Sequence, residues 1–293
     1  MTSVRIITTE QSLGEVISKT FDLFGRDFVK YFAIFAIAEA VVGIATLLAY
    51  SVVQLPTVPT NPTDLSWLPG YLVASFELYG IIEISNLIVV PIAAGTAIKM
   101  AADAIEGNPV AFGMSVRFAL SKLVRLWVVS FIVGVIVVLG FVALIVPGII
   151  LAIMFCLALP AVLLESTGVL GSLSRSRELV SHRWGKTFAV FLVLGLIILV
   201  ISVVLGVVGG FFGSASSAVT DFLSALYEPL LPIALTVYFF SNQARTGPAP
   251  QTVQVPPRYW PAPQPGMKAC TNCGTQLVAS ATFCSNCGAK QPA

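Results

Sequence analysis

The chain is 293 residues long and carries a formal net charge of +2, with 57% hydrophobic residues and only 10% charged ones. An ordinary soluble domain is roughly 25% charged, so this composition excludes a water-soluble globular protein and indicates an all-α polytopic membrane protein. In such a chain the placement of charge says more than its sum.

The first apolar run starts near residue 28. The stretch before it is amphipathic and of mixed charge. It lacks the compact basic region and small-residue cleavage site of a secretory signal, so the first span is expected to stay in the mature protein. Runs long enough to cross the hydrocarbon core, about 20 residues, follow at about 28–53, 71–98, 124–146, 149–165, 187–212 and 218–241. They predict six transmembrane helices. Only Val146-Pro147-Gly148 separates the third from the fourth. Proline lacks a backbone donor and glycine tolerates a reversal, so a tight helical hairpin is expected there. Gly206, Gly209, Gly210 and Gly213 give small-xxx-small spacing, a mark of close helix packing.

With the N-terminus in the cytoplasm, the outer loops are 54–70, the Pro147 turn and 213–217, and none contains Lys or Arg. All 16 basic residues then fall in the tails or inner loops, among them Lys99, Arg117, Lys122, Arg125, Arg175, Arg177, Arg183 and Lys186. The positive-inside rule therefore predicts a multi-pass protein of the cell membrane with both termini in the cytoplasm.

The three inner lead-ins read as copies of one unit. Ser12 precedes Phe24 and Phe28, Ser115 precedes Trp127 and Phe131, and Ser172 precedes Trp184 and Phe188, at the same two offsets. Apolar residues at helical spacing, such as Leu13, Val16 and Phe24, accompany them. Each unit is expected to hold an interfacial amphipathic helix, opened by a serine cap, that turns into a helical hairpin across the bilayer.

Glu39, Glu83 and Glu228 fall near the middle of predicted spans, with Glu77 nearer the outer face. Carboxyl groups at that depth are costly and normally face a bundle interior or wet cavity. They form a possible intramembrane polar site for an ion, proton or substrate, and Pro229 after Glu228 frees a carbonyl that can help line it. The structural alternative, which we favour, is hydrogen bonding between helices, with Asn86 or Ser85 as partners for Glu83. Cys156, inside the fourth span, reads as a small core residue.

SLGEVISKTFDLFGRDFVKYF, together with CLALPAVLLESTGVLGSLSRSRELVSHRWGKTF, resembles the family of membrane proteins that includes the membrane domain of glycerophosphodiester phosphodiesterases. The likeness covers most of residues 11–241 and rests on Pro160, Glu165, Ser172, Arg175, Arg177, Glu178 and Trp184. It implies a shared fold. It does not imply the phosphodiesterase reaction, which in the relatives that carry it belongs to a separate domain with paired histidines and acidic metal ligands. This chain has one histidine, His182, and a general acid/base role for it lacks a partner.

After residue 242 the composition changes. Residues 243–267 read as a linker, whose proline-rich stretch 246–267 is expected to be extended and to reach at most about 70 Å at roughly 3.1 Å per residue. In residues 268–293, Cys270, Cys273, Cys284 and Cys287 form C-x2-C-x10-C-x2-C, with Gly274 and Gly288 after the pairs. This spacing turns four thiolates toward one tetrahedral Zn²⁺, the glycines taking the left-handed conformation of the turn. With only Leu277, Val278 and Phe283 to pack, metal binding has to supply the folding energy. A redox dithiol or disulfide pair is the weaker alternative. The tail resembles the short zinc ribbons that end many prokaryotic proteins.

The whole chain thus divides into a six-span membrane domain at 1–242, a linker at 243–267 and a zinc ribbon at 268–293. No catalytic residue is expected, and no nucleic acid partner, because only Lys268 and Lys290 charge the ribbon. The expected function is a non-enzymatic membrane scaffold or accessory protein whose ribbon recruits or senses a cytoplasmic protein partner. The alternative is transport of a small solute or lipid.

Overall fold

A computed structural model describes residues 7–56, 65–165, 167–246, 267–270, 275–286 and 288–291. Its chain divides into two compact units, residues 1–249 and 250–293. The described part of the first is helical: α1 Leu13–Arg26, α2 Phe28–Val52, α3 Leu68–Ile105, α4 Phe112–Ser121, α5 Leu123–Ala143, α6 Ile145–Phe155, α7 Ala158–Leu164, α8 Val169–Val180, α9 Trp184–Gly210, α10 Ser216–Ser224 and α11 Leu230–Thr246. Most of the expected linker lies outside the described residues, but its first residues continue α11 to Thr246.

Five of these helical stretches are long and apolar enough to cross a membrane: α2, α3, α5, α6 with α7, and α9. In α9 only 11% of the most apolar window is buried within the protein. Large side chains such as Phe76, Val142 and Val207 likewise stand exposed, as expected where hydrocarbon rather than water is the solvent. The sixth predicted span does not form as one helix. It breaks between Ser224 and Leu230, where Pro229 supplies no N–H and disfavours helical geometry at Glu228 before it. With 9 and 17 residues, neither α10 nor α11 is long enough to cross the membrane alone.

Helices α2 and α3 pack on each other, as do α5 and α6, and α9 and α10. The reversal between α5 and α6 falls at Leu144, extended at φ −168° and ψ 157°, three residues before the expected Pro147. Proline is tolerated in the first turn of α6, where its missing N–H has no helical acceptor. Gly148 serves contact instead of reversal, since a Cβ there would strike the Phe141 ring. Of the later glycines, Gly209 approaches Thr220 of α10, whereas Gly206 and Gly210 meet no neighbour and Gly213 takes φ +57° in the following turn.

The main core lies at the end of the unit that holds the lead-in helices. Val16 and Leu23 of α1, Tyr31 of α2, Ala97, Met100 and Ala101 of α3, Leu179 of α8 and Val237 to Phe240 of α11 meet there. Helix α3 runs 38 residues, about 57 Å at 1.5 Å per residue, and its C-terminal third is its most buried part. α11 is buried on nearly every side, from Leu230 to Asn242, and forms the centre that the other helices surround.

The lead-ins α1, α4 and α8 form as helices, and the repeat is visible in their geometry. The residues before α2, α5 and α9 share one bend: Asp27 at φ −118°, ψ 31°, Lys122 at −109°, 8° and Arg183 at −132°, 23°. Counted from the helix starts, Val16, Ser115 and Ser172 are equivalent and fully buried, as are Thr20, Ala119 and Ser176 one turn on. Counted this way the first copy shifts by one helical turn from the expected register, while the bend comes one turn earlier in the second copy, where α4 has only 10 residues. Ser12 is a true cap, its Oγ accepting from the Glu15 N–H and its own N–H donating to Glu15 Oε2. Ser115 and Ser172 lie inside their helices and donate back to the carbonyls of Ala111 and Val169. In the corrected register Phe28 and Phe32 correspond to Trp127 and Phe131, and both pairs stack, with centroids 5.8 and 5.9 Å apart.

Candidate metal centre and polar sites among the helices

The described part of the second unit holds two similar pairings. Strand β1 Met267–Ala269 pairs antiparallel with β2 Gln276–Val278, Ala269 opposite Gln276, and an antiparallel bridge joins Phe283 to Lys290. In both cases the pairing encloses a cysteine that follows its first residue. The Cys270 N–H donates to the Thr275 carbonyl at 2.9 Å, and the Cys284 N–H to the Ala289 carbonyl at 2.9 Å, at the same offset. Gly288 takes φ +70°, the left-handed conformation expected of it.

Both described cysteines are buried, at 2% and 3% exposure, and share a small core with Leu277. Val278 and Phe283 do not join it, contrary to expectation; they are about 60% exposed, at 62% and 60%. The thiols accept from nitrogen donors: the Asn286 N–H lies 3.4 Å from Cys284 Sγ and the Gln291 side-chain amide 3.3 Å from Cys270 Sγ. Donors aimed at sulfur stabilise a thiolate, the form that binds Zn²⁺, so these residues fit the metal. Cys273 and Cys287 lie outside the described residues. Among the described residues no three metal-binding side chains come together.

In the first unit the three glutamates do not converge on one site. Glu39 of α2 and Glu228, at the break before α11, lie close enough to influence each other electrostatically. Ser224 Oγ donates to Glu228 Oε1 at 2.9 Å. Glu83 lies elsewhere, exposed on α3, in a groove with Asn86 and Ser130. The partners expected for it are not used: Ser85 donates to the Ile81 carbonyl of its own helix. Cys156 is half-buried beside the junction of α6 and α7.

Three of the residues that carried the family resemblance, Glu165, Arg175 and Glu178, form an ion-pair clamp around the buried guanidinium. Arg175 of α8, 3% exposed, donates through Nε and a terminal nitrogen to both oxygens of Glu165, at 2.8 and 3.0 Å. Its other terminal nitrogen reaches Glu178 at 2.9 Å. Gln243 of α11 adds a bond to Glu165 at 2.8 Å, so α7, α8 and α11 are tied at one point. Burial disfavours the guanidinium charge, but the bonds to Glu165 and Glu178 outweigh it and hold the Arg175 pKa above its ordinary value. Beside the clamp, Pro160 supplies no N–H, and α6 gives way to α7 at Cys156–Leu157. Ser176 fills the gap, donating to the Met154 carbonyl at 2.8 Å and accepting from the Leu157 N–H at 3.1 Å. His182 is exposed at a turn with φ 62°.

Two further contacts close the unit. Glu10 accepts from Lys186 at 2.6 Å and Arg183 at 2.9 Å, and the Gln11 N–H donates to Ser241 Oγ at 2.8 Å. Sequence reasoning missed both, because nothing local marks a partner so far along the chain.

Neither a curated protein nor a solved structure matches the chain. The likeness of residues 11–241 to the phosphodiesterase membrane family gains no support from these comparisons, whereas residues 270–291 match the family model of the zinc-ribbon domain.

Proposed function

We propose that this chain is a non-enzymatic membrane scaffold or accessory protein that presents a zinc ribbon, with one Zn²⁺ held by Cys270, Cys273, Cys284 and Cys287, to a protein partner in the cytoplasm. The observation that carries the reading is the pairing of a matched zinc-ribbon domain with a unit of long apolar helices. The ribbon keeps Val278 and Phe283 outside its small core, and exposed apolar side chains on so small a module suit a protein contact. Its few basic residues do not suit nucleic acid.

Six crossings with both ends inside are part of the proposal. The contact of Gln11 with Ser241 and that of Arg245 with the Leu179 carbonyl bring the start and finish of the first unit to one pole. Five crossings alone would separate them, so α10 and α11 together complete the sixth. The same pole gathers Lys30, which donates to the Val110 carbonyl, and Lys99, which lies over the Phe118 ring. That asymmetry favours a cytoplasmic assignment.

Pull-downs with the full chain and with Cys270→Ser/Cys273→Ser test the recruiting role. Partners lost from the variant support it; identical partner sets overturn it. A second reading, transport of a small solute or lipid, is favoured by the meeting of Glu39 and Glu228 at a broken helix, the arrangement in which membrane transporters place substrate sites.

A further inference from the structure

Where α3 passes α5 and α7, a groove of about 500 Å³ opens between apolar walls, lined among others by Glu83, Asn86, Leu87, Pro91, Ser130 and Phe131. A second hollow extends it along α5 past Gly134 and Val135. The volume is that of a site for a drug-sized molecule.

The polar groups in this groove have nothing to bind within the described residues. Glu83, Asn86 and Ser130 make no side-chain hydrogen bond. Nearby Ser85 and Thr96 close their hydroxyls on carbonyls of their own helix, at 2.9 and 2.7 Å. Pro91, inside α3, also removes the usual donor of the Leu87 carbonyl. Asn86 and Ser130 can donate as well as accept, so the Glu83 carboxyl is the group in the lining that calls for a partner of opposite charge.

Charge narrows the occupant further. The sequence has no Lys or Arg between Lys30 and Lys99, nor between Arg125 and Arg175, so no basic side chain of α2, α3 or α5 at this level compensates Glu83. Phe131, half exposed in the same groove, offers a ring face that attracts cations. We propose that the groove binds a lipophilic cation: an ammonium or phosphonium centre compensates Glu83, and its apolar substituents lie on Leu87, Pro91 and Phe131. A neutral lipid chain satisfies the walls but leaves the Glu83 carboxylate without a countercharge, which is costly away from water. The inference rests on no property of the ribbon.

Equilibrium dialysis of the full-length protein in detergent, with radiolabelled tetraphenylphosphonium as probe, tests it. The expected result is saturable binding that weakens about tenfold or more in Glu83→Gln, the loss typical of a hydrogen bond or contact to a charged group. Glu83→Asp keeps the charge and binds. Glu77→Gln, a charge loss on the same helix outside the groove, matches the wild type, and neutral triphenylphosphine oxide does not displace the probe. Melting curves that overlay the wild type show that the variants are folded. Absence of saturable binding, wild-type affinity in Glu83→Gln, or displacement by the neutral phosphine oxide overturns the proposal; the last outcome makes the groove a seat for any apolar body.

Discussion

Arg175 illustrates what one residue contributes to this unit. Its charge is removed from water and returned to two carboxylates, an exchange close to neutral while the clamp is whole and unfavourable once a partner is lost. Replacing Arg175 by Met leaves Glu165 buried beside Gln243 without its cation, and should destabilise the unit by about 3–5 kcal/mol. Arg125→Met, at an exposed arginine, should cost little. The double replacement Arg175→Met/Glu165→Met should recover part of the loss, because it leaves no unpaired buried charge. Thermal unfolding in detergent, followed by helical circular dichroism, measures all three; an Arg175→Met curve that overlays Arg125→Met would remove the clamp from the energetics. Glu165, Arg175 and Glu178 were legible in the sequence only as a resemblance. Gln243 was not legible at all, because it lies 78 residues from Glu165 in a stretch assigned to the linker.

At the scale of elements, α1 depends on acid groups that the protein holds ionised. The Lys186 ammonium holds Glu10 below the ordinary carboxylate value of 4.5; burial opposes it, and Arg183 adds to the lowering. The Ser12 N–H, then its hydroxyl, does the same for Glu15 in the capping box. Lowered folded values mean that the native state binds fewer protons than the unfolded chain around and below pH 4.5, so stability rises with pH there. The contribution is complete above the unfolded value and disappears as pH falls through the lowered ones. Amide exchange in α1 peptides, corrected for intrinsic rates, should therefore accelerate in acid before exchange in α3 does, and Glu10→Gln should shrink the difference between neutral and acid. Equal acid sensitivity of α1 and α3 would count against it. The existence of the lead-in helices and of five long apolar stretches was legible, because amphipathic and apolar periodicity are local properties. The break in the sixth span was only partly so. Pro229 marked a weak point, but a helix buried on nearly every side looks in sequence like one surrounded by lipid. The Pro147 turn failed because proline fits a first helical turn as well as a reversal.

At the scale of the whole molecule, the two units should stand or fall separately. The ribbon has Leu277 and two buried cysteines for a core, too little apolar burial to fold by itself, so loss of a ligand should unfold it. Cys284→Ser should abolish tight zinc binding and leave the melting of the helical unit unchanged, since a proline-rich connection transmits no packing. Metal analysis and thermal unfolding decide both parts. Less than about half an equivalent of zinc in reduced wild type refutes the one-metal site, and a large drop in helical stability in Cys284→Ser refutes the independence. Here the zinc-ribbon reading agrees with the family match over residues 270–291, because ligand spacing is itself the signal; what it misjudged was which of three apolar residues face inward. The position of α11 has a different consequence, one of timing. The helix at the centre of the first unit is the last to leave the ribosome, and its Ser241 receives the Gln11 N–H from the opposite end of the sequence, 230 residues away. Ala97, Met100 and Ala101, which share a core with Val237 to Phe240, should therefore stay uncovered on that side until translation delivers α11.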